Sequence, residues 1–227
     1  VLFVFLWSTG FIGAKFGLPH AEPMTFVALR FGIVTGLVTL WALAIRAKWP
    51  PPQLVLHTAL IGVLMHAGFM GTTFVAISLG VEAGTAALIA ALQPILSALL
   101  AHSVLGEKTR PSQWVGLCLG VVGVLLVVGN KLTAGLGAAS GYGLCVVALA
   151  SLSFGTIWQK KYGSEVPATS GYVIQYAAAT AVTLGLALTF ETMRIDWSLD
   201  FAIALTWLVL AISIGAIVLL YGMLRTG

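Results

Sequence analysis

Arg30, Lys15 and His66 are cationic or protonatable side chains that interrupt long apolar runs of this chain. Arg30 falls about seven residues into its run, roughly 10 Å along a helix. It reads either as a binding group for an anionic or carboxylate part of a solute, or as an internally paired or snorkelling arginine with Glu22 or Glu82 at hand. Lys15 lies a few residues from the end of its run, where reaching water is easy, and faces the same choice. His66 sits mid-run. As a neutral ring it would hydrogen-bond a neighbouring helix; as a protonatable one it would lie on a transport path.

Gln93-Pro94 brings a different chemistry. Proline has no N–H, so a helix running through Pro94 frees the Ala90 carbonyl beside the Gln93 amide. The result is a polar break that either binds a solute or is a kink satisfied by a nearby hydroxyl. Trp7, Phe11 and Lys15 recur at every fourth position and share one helix face, with Ser8 beside them. That face suits the wall of a small-molecule cavity, or else it meets lipid. Trp158, Gln175, Tyr176 and Tyr221 are the later candidates. The three polar ones could equally bridge helices.

The absences narrow the chemistry. All seven carboxylates fall in loops or at run ends, so none is a buried proton relay. Cys118 and Cys145 have no Cys-x-x-Cys spacing, and neither a disulfide nor a metal site is expected. Phosphate-loop, His-Glu-x-x-His and Gly-x-Ser-x-Gly motifs are missing. No catalytic residue and no cofactor are expected. An intramembrane enzyme would have to pair His66 with Ser97 or Ser213, which no spacing supports. A membrane scaffold or accessory subunit is the other alternative, and it lacks a long docking loop.

The elements that must position these residues follow from composition. Of 227 residues, 59% are hydrophobic and 8% charged, against roughly 25% charged in a soluble domain. So few charges cannot cover a soluble globule, and the basic residues are too scattered to form a nucleic-acid stripe. The chain reads as an all-α polytopic membrane protein. Eight apolar segments are expected at about 1–18, 24–45, 54–77, 82–105, 113–130, 141–161, 168–190 and 200–223, each near the roughly 20 residues of a spanning helix. Cations concentrate in alternate connections. Arg46, Lys48, Lys108, Arg110, Lys160, Lys161 and Arg225 follow even spans, whereas Lys131 and Arg194 follow odd ones. The positive-inside rule then places the amino terminus in the cytoplasm.

A shift of 145 residues sets Ser8, Gly10, Ile12 and Lys15 on Ser153, Gly155, Ile157 and Lys160, and Arg30-Phe31 on Gln175-Tyr176. A shift of 147 sets Gly68 on Gly215 and Phe74 on Tyr221. A five-span unit would return inverted in the membrane, a common transporter construction. The expected units are residues 1–130 and 141–227, the second stopping after its third helix, so that two further spans of a ten-helix protein would lie beyond Gly227.

With Trp7-Ser8-Thr9-Gly10-Phe11-Ile12-Gly13-Ala14-Lys15, Arg30, Gln93-Pro94, Gly106-Glu107 and Leu220-Tyr221-Gly222, the chain resembles the EamA family of the drug/metabolite transporter superfamily. The resemblance implies ten helices in two inverted halves around a central cavity, moving small metabolites, often outward. The expectation is thus a secondary transporter of amino acids or related amphipathic molecules in a bacterial-type inner (plasma) membrane. Its partners would be a small-molecule substrate and the lipid bilayer, without nucleic acid; Gly116 and Gly120 suit a packing face inside the protein or in a homodimer. Trp7, Ser8, Phe11, His66, Gln93, Trp158, Gln175 and Tyr221 would line the cavity, with Arg30 at its outer mouth.

Overall fold

The computed structural model describes residues 2–106, 111–133 and 139–215. Prolines open most of the long helices, because proline's fixed φ suits a first turn whose N–H has no partner anyway. Helix α1 is Leu2–Gly17, α2 Pro23–Ala44, α3 Pro52–Ser78 and α4 Ala83–Leu105. Helix α5 is Pro111–Thr133, α6 Ala139–Tyr162, α7 Ala168–Phe190 (following Pro167) and α8 Leu199–Ile214. Ser198 starts α8 by accepting a hydrogen bond from the Phe201 amide. Among the described residues there is no strand, only one antiparallel bridge between Ala21 and Ile195.

Six of these helices are long and apolar enough to cross a membrane: α2, α3, α4, α5 over Trp114–Lys131, α6 and α7. The expectation of eight spans is thus met at six. Helices α1 and α8 stand where the first and eighth were expected, and their described lengths are shorter than the rest. The protein is an all-helical integral membrane protein whose outer surface carries large apolar side chains, among them Leu40, Trp41, Leu125, Leu188 and Phe190.

Three helices are interrupted. Helix α4 turns at Ala91-Leu92, just before Gln93-Pro94. Helix α3 widens to a π-helix over Val63–Gly71, and α8 does so over Leu208–Ile214. Such wide turns concentrate at functional sites.

Helix α2 lies along α7, and α3 packs along α6, in the two most extensive helix pairings among the described residues. Phe26, Phe31, Phe74, Tyr176, Phe201 and Leu208 fill the core among α2, α3, α7 and α8. A second core joins α3, α4 and α6 through Ala76, Ile89, Tyr142 and Leu149. With lipid outside, close backbone packing matters more than water exclusion. A Cβ on Gly62 would overlap the Gln175 backbone, so α3 and α7 can touch only through glycine there. Gly120 packs on Ile95 and Leu92 of α4, whereas Gly116 faces open space.

The connections gather at two ends. At one, the α1–α2 turn clasps the α7–α8 loop. His20 Nδ1 lies 2.9 Å from Asp196 Oδ2, and Glu22 accepts from the Thr192 amide at 2.8 Å and hydroxyl at 2.9 Å. Glu191 caps α2 by accepting from the Met24 and Thr25 amides, each at 2.7 Å. Lys131 pairs with Glu82 between the other odd-numbered connections. At the opposite end Ser170 donates to the Lys48 carbonyl at 2.7 Å, tying the α2–α3 loop to the start of α7.

Candidate functional site

Arg30, His66, Gln175 and Tyr176 converge between α2, α3, α7 and α8. Arg30 is 1% exposed. Its Nη2 donates to the Ser213 hydroxyl at 3.1 Å, while its Nε has no partner. Neither expected carboxylate reaches it: Glu22 is engaged by Thr192 and Glu82 by Lys131. The guanidinium therefore sits in the apolar core without a counter-ion among the described residues.

The wide turn of α3 aims His66 at α7. Its ring stacks on Tyr176 at 4.2 Å between centroids and 17° between planes, and meets the edge of Phe31 at 5.8 Å. Its Nε2 is buried without a partner. Gln175 reaches His66 and donates to Gln159 Oε1 at 3.0 Å, and the Tyr176 hydroxyl reaches Ser213. The polar groups thus form a chain across the bundle from Ser213 on α8 to Gln159 on α6.

A small cavity of about 30 Å³, room for roughly one water, opens beside Arg30. Gly10 and Phe11 of α1, Phe69, Met70, Thr73 and Phe74 of α3, and Ile212 of α8 complete its wall. Arg30, expected at the outer mouth, is buried in that wall instead. His66 lies one turn before Phe69 and Met70, so the cavity and the polar chain adjoin.

Gln93 and Pro94 stand apart from this cluster. Gln93 Nε2 donates to Ser97 at 2.9 Å and to Thr156 at 3.1 Å, knitting α4 to α6. Pro94 is exposed. Trp158 belongs to an aromatic group with His57 and Tyr162 near the Lys161 end of α6, and its Nε1 is buried without a partner. Lys15 is exposed and close enough to Glu82 to help hold that carboxylate below its usual value; the hydrogen bond from Lys131 is the main cause. The side chains of Trp7 and Ser8, and the whole of Tyr221, lie outside the described residues.

Three contributors escaped the sequence reading. Gln159 stands next to Lys160 near the end of α6. Thr156 back-bonds to Leu152 at 2.8 Å, as threonine often does in apolar helices. Ser213 was weighed only as an enzyme nucleophile. Their shared signal was hydrogen-bonding capacity on faces of α6 and α8 that look inward.

Among the described residues no group of His, Cys, Asp and Glu is placed to hold a metal ion. The comparisons with known proteins point the same way as the buried polar chain. The Escherichia coli K12 protein named uncharacterized inner membrane transporter YedA is 28% identical over 215 residues, covering 93% of this chain and 68% of that protein. A probable amino-acid metabolite efflux pump of Salmonella typhimurium is 29% identical over 167 residues, 74% of this chain and 54% of the pump. A crystal structure shares the fold at a TM-score of 0.65 and 21% identity, over 92% of this chain and 73% of that one. The family model of the EamA-like transporters matches residues 1–129, more than half the chain, and with it the chain belongs to the EamA-like transporter family.

Proposed function

We propose that this chain works as a secondary transporter that exports small metabolites, such as amino acids or related amphipathic molecules, across the inner membrane by alternating access. Two inverted halves, residues 1–130 and 141–227, would rock about the cavity beside Arg30, within a protein of ten helices whose amino terminus is cytoplasmic.

One observation carries this reading: residues at equivalent places in the two halves meet one another. Phe31 touches Tyr176 at 5.7 Å between ring centroids, and Thr35 Oγ1 lies 3.2 Å from Thr180 Oγ1. Each pair is separated by 145 positions. Contacts between counterparts are what a two-fold relation between the halves would bring about. The pattern extends outward. Arg30 bonds Ser213 while its counterpart Gln175 reaches His66, which a shift of 147 sets on Ser213. The π segments Val63–Gly71 and Leu208–Ile214 also fall on the counterpart helices α3 and α8. An axis at the core of a membrane bundle is where paired halves exchange access. The inner membrane and the metabolite class rest on what the bacterial relatives are named.

The test is flux in vesicles. Arg30→Ala should abolish uptake of substrate while the protein still inserts. Wild-type flux in that variant removes the site from the path. Cysteine labelling should find positions 48 and 161 on the same side of the membrane; opposite sides would end the inverted-repeat reading.

A further inference from the structure

Two buried nitrogens in the core lack a partner and share one neighbour. Arg30 Nε and His66 Nε2 both make no hydrogen bond, and both side chains bear on Tyr176. Satisfied buried polar groups are the rule, and each exception needs an explanation. Arg30 is permanently charged. Among the described residues no carboxylate approaches it, and its bond to Ser213 supplies a dipole rather than a countercharge. An isolated guanidinium in a bilayer is expensive. The local chemistry thus offers an arginine N–H, an imidazole nitrogen and a positive field with nothing to receive them. The geometry of arginine, with its planar fork of N–H groups, matches a carboxylate.

We propose that Arg30 and His66 form a cradle for a monovalent anionic group, the carboxylate of the transported solute. This deepens the transporter reading and rests on it for the occupant being cargo. Arg30 supplies the charge-assisted bond, and His66, in the tautomer that carries its proton on Nε2, supplies a second donor. Ser213 and the Tyr176 hydroxyl hold the guanidinium in place. The present cavity has room for about one water, so the anionic group and the rest of the solute enter together as α1 and α8 part. Gln175 stands where Arg30 has its counterpart, which makes the cradle one-sided: one half of the protein binds the anion, the other half carries the neutral amide.

The test uses the full-length protein in detergent, with sodium benzoate, benzamide and sodium chloride as probes of thermal unfolding. A ligand that binds the folded state raises its stability in proportion to affinity. Benzoate should protect the wild type and benzamide should not. Arg30→Gln should weaken benzoate protection by about tenfold or more, and His66→Ala by a smaller factor. Arg30→Gln places at position 30 the residue that the other half already tolerates at position 175, and size-exclusion profiles check that it folds. If it does not, Arg30→Lys, which keeps charge but loses the fork, should retain part of the benzoate effect.

Equal protection by benzoate and benzamide, or full benzoate protection in Arg30→Gln, overturns the cradle. Protection by chloride equal to that by benzoate assigns the site to an inorganic anion and overturns the carboxylate occupant. Vesicle flux separates the two readings. Benzamide flux matching benzoate flux in the wild type keeps the transporter and removes the anion preference. No flux of any probe, with benzoate protection intact, keeps the cradle and removes transport of these solutes.

Discussion

Glu191 and Thr25, separated by 166 positions, are joined by two hydrogen bonds: the Thr25 amide donates to Oε2 at 2.7 Å and the Thr25 hydroxyl at 2.8 Å. A residue closing α7 thus caps the start of α2. The carboxylate satisfies amides that a helix N-terminus leaves open and sits at the positive end of its dipole. Replacing Glu191 with Ala should therefore loosen the two loops and cost about 0.5–2 kcal/mol, the usual value of a lost cap. Thermal unfolding of the detergent-solubilised protein measures it. An unchanged melting temperature would deny the cap any role in holding this end together.

The same clasp predicts a pH dependence. Desolvation pushes Glu22 upward, but hydrogen bonds from the Thr192 hydroxyl and the backbone of Arg194, Thr192 and Met193 together outweigh it and hold the carboxyl below its usual 4.5. A carboxyl lowered by folding adds stability above its unfolded value, and that contribution fades as pH falls through the folded value. Acidification below about 4.5 should therefore weaken the clasp, and Glu22→Gln should flatten that part of the stability profile. Identical acid limbs in the two proteins would refute the assignment.

Gly62 tests the contact of α3 with α7. Alanine there meets the Gln175 backbone, which cannot swing away as a flexible side chain could. Gly62→Ala should destabilise by about 1–3 kcal/mol through overpacking, whereas Gly116→Ala on open α5 should be nearly neutral. Melting temperatures of the two variants decide it. Comparable losses would mean that α3 and α7 are not in backbone contact.

Gln93 and Thr156 are suited to a double-mutant cycle. Hydrogen bonds between membrane helices average about 0.6 kcal/mol in such cycles. Gln93→Ala and Thr156→Val should couple by that order, with Ser97 retaining the remaining Gln93 bond in the Thr156 variant. Strict additivity would show that the α4–α6 bridge is absent in the membrane.

Much of the architecture was readable because prolines and charges punctuate the chain. Pro23, Pro52, Pro111 and Pro167 mark helix starts through covalent geometry alone. Arg30, His66, Gln175 and Tyr176 stood out as polar intrusions into apolar runs, and they do converge. What stayed hidden was direction. Lys15 and Phe11 are four residues apart, yet Phe11 lines the cavity and Lys15 is exposed beside Glu82. The wide turns were equally hidden, since no proline marks Val63–Gly71 or Leu208–Ile214. Tertiary packing, not local propensity, sets them.

Those wide turns give α3 and α8 an adjustable gearing. A five-residue hydrogen-bonded loop holds one residue more than an α turn, so it can travel along the rod without unwinding it. Each step turns the side chains it passes by about 100° around the axis. Phe69, Thr73 and Ile212, all on the cavity wall, lie within or just beyond the two segments. A register step in either segment would re-deal the lining while Pro52 and Ser198 keep the starts of both helices in place.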